Sequence, residues 1–170
     1  MTLAYLGLGA NLGDAGQTLK DAVICLAQQT DITVIAKSGL YLTAPVNAPG
    51  PEYYNSVVAV QTALSPRQLL AACHLVESHF GRERHYHHAS RTLDIDLLLY
   101  GDQTLAEEDL TVPHPRLTKR AFVLAPLPEL DPKLVIPGLD RNVCELLSQP
   151  TLAMQAIEKI SPGCCPCRKG

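Results

Sequence analysis

One stretch of the sequence, residues 91–100, places two acidic side chains inside an otherwise largely apolar run. The run continues until Gly101 and Asp102 supply a turn, which predicts one buried strand. Side chains alternate between the two faces of a strand, so Asp94 and Asp96 are predicted on the same face, with Cα atoms about 7 Å apart. The residues predicted on the opposite face are Leu93, Ile95, Leu97 and Leu99.

Two neighbouring carboxylates in a half-buried sheet repel each other and lose hydration unless a positive charge lies between them. Oxygen ligands on a rigid element suit Mg²⁺, which keeps several waters and commonly shares its coordination shell with substrate phosphates. We therefore predict Asp94 and Asp96 as magnesium ligands. The spacing leaves one alternative open, a structural network in which both acids pair with neighbouring arginines.

Length and composition predict one compact domain over residues 1–160, because the chain has 170 residues, of which 46% are hydrophobic and 18% charged. The net charge of −3 provides no general attraction to nucleic acid or to an anionic membrane. Neither a basic leader followed by an apolar run nor an apolar run of membrane length is found, so we expect a cytoplasmic protein, and we expect a monomer. The six cysteines show no disulfide framework, and the cysteine-containing tail, residues 161–170, is predicted to be disordered.

Six of the 14 basic residues fall within residues 82–120, the segment that also holds the two aspartates. Such a cluster suits a small polyanion, because an arginine can grip a phosphate with two hydrogen bonds. His114 lies between two prolines that fix its backbone and hold its imidazole at low entropic cost, although a purely structural role stays open. The six basic residues are Arg82, Arg84, Arg91, Arg116, Lys119 and Arg120.

The proline-rich loop at residues 43–52 is a candidate for contact with a flat ligand. Its prolines exclude a helix and leave some backbone donors free. This loop either lines a site or is a plain rigid connector, and both interpretations stay open. Tyr53 and Asn55 share a face of the strand predicted at residues 53–60. An aromatic ring beside an amide can hold a flat heterocycle, whereas a tyrosine at a strand end can also be a simple core or rim residue.

The remaining pattern predicts an alternation of strands and helices. Residues 3–8 and 32–42 are predicted strands, and the glycines that follow the first of them do not match G-x-G-x-x-G. Helical spacing predicts one helix ending near Gln28 and another beginning at the cap Ser65. Further predictions are a hairpin arm at residues 103–105 and a helix capped by Asn142. If the helical turn near residue 120 starts early enough, Arg116 and Arg120 also have a helical i,i+4 relation.

Two acids, several arginines and one fixed histidine suit phosphoryl transfer. This chemistry needs in-line placement of the attacking and leaving oxygens, with positive charge on the equatorial phosphate oxygens, and it needs little covalent help from the protein. Residues 82–120 could supply both requirements.

Three motifs in combination resemble the 6-hydroxymethyl-7,8-dihydropterin pyrophosphokinase family of folate biosynthesis. They are residues 9–14 (GANLGD), 87–98 (HHASRTLDIDLL) and 112–117 (VPHPRL), and the resemblance covers about residues 1–135. It implies an α+β fold with a ferredoxin-like βαββαβ core, added strands and helices, and a mainly antiparallel sheet. It also implies transfer of pyrophosphate from ATP to the hydroxymethyl oxygen of the pterin, with release of AMP.

The resemblance further implies a role for each matching residue. Asp94 and Asp96 would hold two Mg²⁺ ions together with ATP. Catalytic roles are implied for Arg82, Arg91, Asp94 and Asp96, ATP contacts for Arg84, Arg91, His114, Arg116 and Arg120, and pterin contacts for Thr43, Pro45, Val46, Tyr53, Asn55 and Phe122.

The sequence departs from many relatives just before the motif arginine, where they carry Trp-Gly-Pro and this chain has His88, Ala89 and Ser90. The chain contains no tryptophan, so another side chain must stack over the substrates if stacking occurs here. His88 and Tyr86 are hypothetical substitutes.

Two other functions agree with parts of the pattern. A metal-dependent glycosyltransferase also uses Asp-x-Asp, but this chain is short for the usual nucleotide-sugar domain. A non-catalytic ferredoxin-like binding module would keep both aspartates salt-bridged and free of metal. Ligand binding that depends on Mg²⁺ separates the enzyme from this second alternative.

Overall fold

An antiparallel sheet of six strands lies at the centre of the structure, a computed structural model that describes residues 1–43, 52–81, 93–153, 155 and 157–160. Two further ladders each contain two short strands. In chain order the strands are β1 (Thr2–Ala10), β2 (Ile32–Lys37), β3 (Tyr41–Thr43), β4 (Tyr53–Thr62), β5 (Asp94–Tyr100), β6 (Leu105–Ala106), β7 (Thr111–Val112), β8 (Val135–Ile136), β9 (Arg141–Asn142) and β10 (Ile157–Lys159).

In the described part of the chain, two long helices and four short ones accompany the sheet. Asp14 caps the first long helix, which ends next to Gln28 as the sequence predicts. Ser65 caps the second through a reciprocal capping box with Gln68, so this helix begins where the sequence predicts. Asn142 caps a short helix by accepting a hydrogen bond from Cys144 N at 2.7 Å, which confirms that prediction. The helices are α1 (Ala15–Ala27), α2 (Pro66–His79), α3 (Ala121–Leu124), α4 (Leu127–Leu130), α5 (Val143–Leu147) and α6 (Pro150–Ala153).

The central sheet has the strand order β10-β3-β4-β1-β5, and β2 pairs with β4 beside β3. Every ladder in it is antiparallel. This confirms the predicted α+β class with an antiparallel sheet, and the order of β1, α1, β2/β3, β4, α2 and β5 is consistent with a ferredoxin-like core. Within the described residues, no helix is long and apolar enough to cross a membrane.

Apolar side chains on the two faces of the sheet form two separate cores. On one face, Leu6 of β1 and Leu97 of β5 pack in a cluster with Leu19 of α1 and Val76 of α2. On the other face, a second cluster includes buried residues of the sheet and of α3, α4 and α5. Its members include Tyr5, Val57, Ala59, Leu98, Leu99, Leu124, Leu127 and Leu146.

The prediction that Leu99 shares a face with Leu97 is wrong, because the strand contains a β-bulge. Leu97 pairs with Leu6 and Leu99 pairs with Tyr5, which leaves Leu98 as an extra residue in β5. The bulge turns both Leu98 and Leu99 toward the second core. The alternation predicted around the aspartates is unaffected, because the bulge follows them.

Two other predicted elements also differ from the structure, and one observed strand has no counterpart among the predictions. The single strand predicted at residues 32–42 is broken into β2 and β3. At the break Ser38 N donates to Val57 O at 2.8 Å, whereas Val57 N donates to the Ser38 hydroxyl at 2.9 Å and not to a backbone carbonyl. The arm predicted at residues 103–105 does not return along β5, since β6 pairs with β7 instead. Strand β10, which pairs with β3, follows a segment with weak sequence pattern and was not predicted.

Candidate active site

The second face of the sheet changes from apolar to polar along β1. Tyr5 belongs to the core on this face, and Gly7 and Gly9 continue the same face toward the end of the strand. A Cβ added to Gly9 would lie 3.3 Å from Asn55 Oδ1, and one added to Gly7 would lie 3.3 Å from Leu98 Cδ1. Glycine at these positions therefore lets Leu98 and the Asn55 amide lie close to the backbone of β1. We call the half-buried polar part of the face around Gly7 and Gly9 the cradle.

Asp94 and Asp96 border this cradle on β5. In the ladder between β1 and β5 they pair with Gly9 and Gly7, respectively, and both acidic residues are half-buried. The regular register here places both side chains on the polar part of the face, as the alternation predicts. Two acids thus stand beside two half-buried positions that carry no side chain.

Asn55 borders the other side of the cradle, because it pairs with Gly9 in the ladder between β1 and β4. Asn55 is only 6% exposed, and its Nδ2 donates a hydrogen bond to Thr43 Oγ1 at 3.0 Å. Thr43 in turn pairs with Tyr53, so the three side chains share one face. The hydrogen bond holds the Asn55 amide in one orientation. The fixed amide and the half-buried Tyr53 ring lie side by side, and we call this pair, with Thr43, the wall.

His114 is attached to the bulge of β5 by its backbone, since its N–H donates to Leu98 O at 2.9 Å. Its Nδ1 accepts a hydrogen bond from Arg116 N at 3.2 Å, so the neutral ring carries its proton on Nε2. Burial lowers the pKa of His114, and the charges of Arg120 and Arg116 lower it further against a smaller opposing effect of Asp94. The imidazole is therefore neutral near pH 7, with Nε2–H as a donor beside the acids.

Arg120 is half-buried and provides a cation near both aspartates. Burial and the charge of Arg116 lower the pKa of Arg120, while the charges of Asp96 and Asp94 raise it. The guanidinium carbon lies 5.5 Å from the centroid of the Phe122 ring, a distance typical of a cation–π contact. The ring and the acids together hold this cation at the edge of the cradle.

The predicted helical relation between Arg116 and Arg120 is wrong. The two residues flank a single 3₁₀ turn, Leu117–Lys119, and Arg120 has an extended backbone with φ −120° and ψ 109°. The chain is extended at Arg120 because α3 begins at the next residue and needs a non-helical residue before its first turn. Arg116 is exposed, so of the two arginines it is Arg120 that is held against the site.

Two residues that the sequence reasoning missed are buried next to these groups. Glu77 of α2 is 1% exposed, and its Oε1 accepts a hydrogen bond from the backbone N of Ile95, between the two aspartates, at 2.7 Å. The signal was an acidic residue falling on the apolar stripe of a helix, four residues after Cys73. Asn11 is 5% exposed, and its Oδ1 is a buried acceptor without a hydrogen-bond partner. This second residue lies inside the motif at residues 9–14, to which the sequence analysis assigns no site residue.

Several predicted site residues lie outside the described part of the chain, so their placement is not tested. They are Pro45, Val46, Arg82, Arg84 and Arg91, together with the hypothetical stacking residues Tyr86 and His88. Thr43, Tyr53, Asn55, Asp94, Asp96, His114, Arg120 and Phe122 lie within it.

The donor set at the cradle fits magnesium. Among the described residues no group of three or more histidine, cysteine, aspartate or glutamate side chains could hold a metal ion by itself. Asp94 and Asp96 supply two carboxylates, and Mg²⁺ commonly takes only one or two from a protein and completes its shell with water and substrate phosphate. These two residues would therefore hold the ion only in partnership with an anionic ligand.

This geometry is that of a small α+β transferase. A rigid wall of amide and ring suits a flat molecule, while an acid pair flanked by a neutral histidine and an arginine suits a phosphate chain beside it. Both lie on one face of one sheet, so the two ligands would meet above the glycines. An enzyme that moves phosphate groups onto a flat acceptor is the class that the fold and site define.

Comparisons with known proteins agree with this class and specify the family. The model of the 7,8-dihydro-6-hydroxymethylpterin-pyrophosphokinase (HPPK) family matches residues 5–132. The chain is 42% identical over 139 residues to the 2-amino-4-hydroxy-6-hydroxymethyldihydropteridine pyrophosphokinase of Methylorubrum extorquens, covering 81% of this chain and 88% of that protein. It is 37% identical over 160 residues to the protein of the same name from Pseudomonas aeruginosa, covering 94% and 96%.

A solved structure shows the same fold at much lower sequence similarity. It is a Plasmodium falciparum HPPK-DHPS variant with pterin and p-hydroxybenzoate, with a TM-score of 0.72 and 16% identity. The match covers 94% of this chain but only 47% of that one, so the chain spans about half the length of that protein.

The chain belongs to the HPPK family, and it is a pyrophosphokinase of folate biosynthesis. The family resemblance of the three sequence motifs is thereby confirmed.

Proposed function

We propose that the enzyme transfers pyrophosphate from ATP to 6-hydroxymethyl-7,8-dihydropterin in a magnesium-dependent reaction that yields the pterin diphosphate and AMP. The observation that carries the proposal is the common face of Asp94, Asp96 and Asn55 across Gly9. This arrangement brings a site for phosphate and a wall for a heterocycle within one cradle. We take the identity of the acceptor, a pterin, and of the transferred group, pyrophosphate, from the names of the family and of its relatives.

The bonds in the reaction fix what each side of the cradle must do. The hydroxymethyl oxygen of the pterin forms a bond to the β-phosphorus of ATP, the bond between that phosphorus and the α,β-bridging oxygen breaks, and the hydroxyl proton is lost. Attack and departure must be in line, so the pterin must be held with its hydroxymethyl group directed at the acid pair. Asn55, fixed by Thr43, and the ring of Tyr53 would provide this orientation.

Cationic and neutral donors of the chain would stabilise the phosphate oxygens. Magnesium, when bound by Asp94 and Asp96, would supply positive charge to the β- and γ-phosphates during transfer. Arg120 is a half-buried cation whose pKa is lowered by burial and raised by the charges of both acids, and its guanidinium would bind the same phosphates. His114 would donate Nε2–H to an oxygen of the nucleotide while staying neutral. In this proposal the wall binds the acceptor, and the acid pair with its neighbours binds the donor.

The remaining expectations for the site also stay proposals. ATP contacts of Arg84, Arg91 and Arg116, catalytic roles of Arg82 and Arg91, and pterin contacts of Pro45, Val46 and Phe122 are taken from the family resemblance. A cytoplasmic location and a monomeric state likewise stay predictions.

The product analysis tests the reaction directly. Purified enzyme with ATP, Mg²⁺ and 6-hydroxymethyl-7,8-dihydropterin should form AMP in step with the pterin diphosphate, and chelation of Mg²⁺ should stop the reaction. Formation of ADP and a pterin monophosphate would refute pyrophosphate transfer. When Asp94 or Asp96 is replaced by asparagine in this assay, Asp102→Asn provides the matched control for nonspecific effects of charge removal, because Asp102 is exposed in the turn after β5.

A further inference from the structure

The amide of Asn11 stands apart from the other buried polar groups of the protein. Among the described residues, its Oδ1 is the one buried side-chain oxygen or nitrogen atom without a hydrogen-bond partner. Buried polar atoms in folded proteins are nearly always hydrogen-bonded, and a buried acceptor left without a partner is destabilising. A sequence that keeps asparagine here accepts this cost in the unliganded protein, which points to a partner that arrives with a ligand.

The position of Asn11 places it at the site. It directly follows Ala10, the last residue of β1, which pairs with Tyr54 of β4. If the register continues by one residue, Asn11 stands opposite Tyr53. Alternation along β1 puts Asn11 on the face of Gly7 and Gly9, and it belongs to neither apolar cluster. The amide therefore borders the polar part of the sheet face beside the wall.

The local chain does not require the Asn11 side chain. Asparagine is often selected for a left-handed backbone, but the non-glycine residues with positive φ in the described chain are Asp31 and Asp140. Asparagine is also a common helix cap, but Asp14 caps α1 here by accepting from Gln17 N at 3.2 Å. Neither of these usual structural uses of asparagine explains the residue.

We infer that Asn11 is a pterin-binding residue, whose Oδ1 accepts a hydrogen bond from an amino or ring N–H group of the heterocycle. This inference rests on the proposed function. The pterin is favoured over the nucleotide because Asn11 lies in line with Tyr53 and its partner Thr43, whereas His114 and Arg120 stand on the side of β5. One N–H of the Asn55 amide is already donated to Thr43. The Asn11 Oδ1 would add a second amide acceptor to the wall.

The inference makes an unusual pair of predictions for Asn11→Ala. Loss of the acceptor should weaken pterin binding about tenfold, equivalent to about 1.4 kcal/mol, because a hydrogen bond to an already desolvated acceptor is lost. The same substitution removes a buried atom without a partner, so the unliganded variant should melt at the same temperature as the wild type or higher. A residue with a purely structural role would show a lower melting temperature.

The matched control is Asn142→Ala. Asn142 uses its Oδ1 to cap α5, far along the chain from the wall, so its removal should lower the melting temperature by about 2–4 °C and leave pterin affinity unchanged. The two asparagine variants should thus change opposite properties.

The binding experiment is calorimetric titration of 6-hydroxymethyl-7,8-dihydropterin in the presence of Mg²⁺ and an ATP analogue with a methylene bridge between the α- and β-phosphorus atoms, which blocks transfer. The inference holds if Asn11→Ala loses about tenfold in pterin affinity, keeps its affinity for the ATP analogue within twofold, and is at least as stable as the wild type. It is overturned if pterin affinity stays within twofold, if both ligands lose affinity equally, or if the variant melts lower than Asn142→Ala. If the wild type binds no pterin, the proposed function fails as well, whereas wild-type binding with an unchanged variant defeats only the role of Asn11.

Discussion

The Glu129 carboxylate of α4 joins three parts of the chain, and its contact with Tyr41 gives a quantitative prediction. It accepts hydrogen bonds from the Tyr41 hydroxyl and from Gly39 N, the latter at 3.0 Å, and it forms an ion pair with Lys159 Nζ at 3.2 Å. Tyr41 is 7% exposed and pairs with Asn55 in the ladder between β3 and β4. The contact therefore supports the strand that carries the wall of the site.

Tyr41→Phe removes one hydroxyl from this buried contact and little else. A hydrogen bond to a charged group contributes about 1.5–3 kcal/mol, so the free energy of unfolding should fall by about 2 kcal/mol, or about 4–8 °C in melting temperature for a chain of this size. Glu129→Gln should lose a similar amount. Because both substitutions affect the same bond, the double variant should lose about 1 kcal/mol less than the sum of the two.

A surface cluster provides the contrasting control. Arg67 contacts both Glu107 and Asp109, with one nitrogen 3.1 Å and another 2.9 Å from the Asp109 carboxylate oxygens, but its side chain is 56% exposed. Solvent screens exposed ion pairs and they contribute little to stability, so Arg67→Ala should cost less than Tyr41→Phe despite its larger number of hydrogen bonds.

Urea unfolding at pH 7 of the wild type, the two single variants of the Tyr41–Glu129 contact, their double variant and Arg67→Ala measures these differences. Burial and the hydrogen bond to Glu129 raise the pKa of Tyr41, so the folded state keeps its proton when the unfolded state loses it. This contribution to stability is complete below about pH 10 and is lost as the pH rises further. Tyr41→Phe should therefore lose less stability than the wild type between pH 9 and pH 11. Equal stability of Tyr41→Phe and wild type at pH 7, or a coupling energy near zero, would refute the reasoning.

Three further substitutions or conditions test separate features. Gly9→Ala should weaken pterin binding about tenfold, because its Cβ would lie 3.3 Å from Asn55 Oδ1 and displace the amide, and unchanged affinity in a titration would contradict this. Burial, with a smaller effect of Asp96, raises the pKa of the Cys73 thiol to about 12. Iodoacetamide at pH 8 should therefore modify the peptide of exposed Cys144 and spare that of Cys73 until the protein is denatured. Equal labelling of both peptides in the native protein would contradict this prediction. The pKa of His114 is lowered in the folded state, so the unfolded state binds more protons below about pH 6.5. The wild type should therefore lose stability relative to His114→Gln as the pH falls from 7 to 5. A difference in unfolding free energy between the two proteins that stays constant with pH would show that the imidazole is not buried as described.

The acid pair and the long helices could be predicted because they follow from short-range rules. Alternation over three residues is sufficient to place Asp94 and Asp96 on one face, and the cap at Ser65 is specified by the four residues from 65 to 68. The same rule failed for Leu99, because the bulge depends on how β5 pairs with Tyr5 and Leu6 of a distant strand. Pairing between strands is a property of the whole sheet and is not encoded in either strand alone.

Long-range contacts also explain the parts of the site that were missed. Glu77 is buried because a backbone N–H at the edge of β5 needs an acceptor, which becomes apparent only when α2 packs beside that strand. At the gap between β2 and β3, the Ser38 hydroxyl accepts a hydrogen bond from Val57 N. In each case a polar group finds its partner across the fold, beyond the reach of local periodicity.

The most direct test of the account is whether nucleotide binding depends on magnesium through Asp94 and Asp96. Calorimetric titration of the wild type with ATP should show tight binding with Mg²⁺ and much weaker binding with a chelator present. A variant with both Asp94→Asn and Asp96→Asn should lose this difference while keeping its melting temperature, and Asp102→Asn should retain it. ATP binding by the wild type that is indifferent to Mg²⁺, or an undiminished magnesium effect in the double variant, would contradict the account.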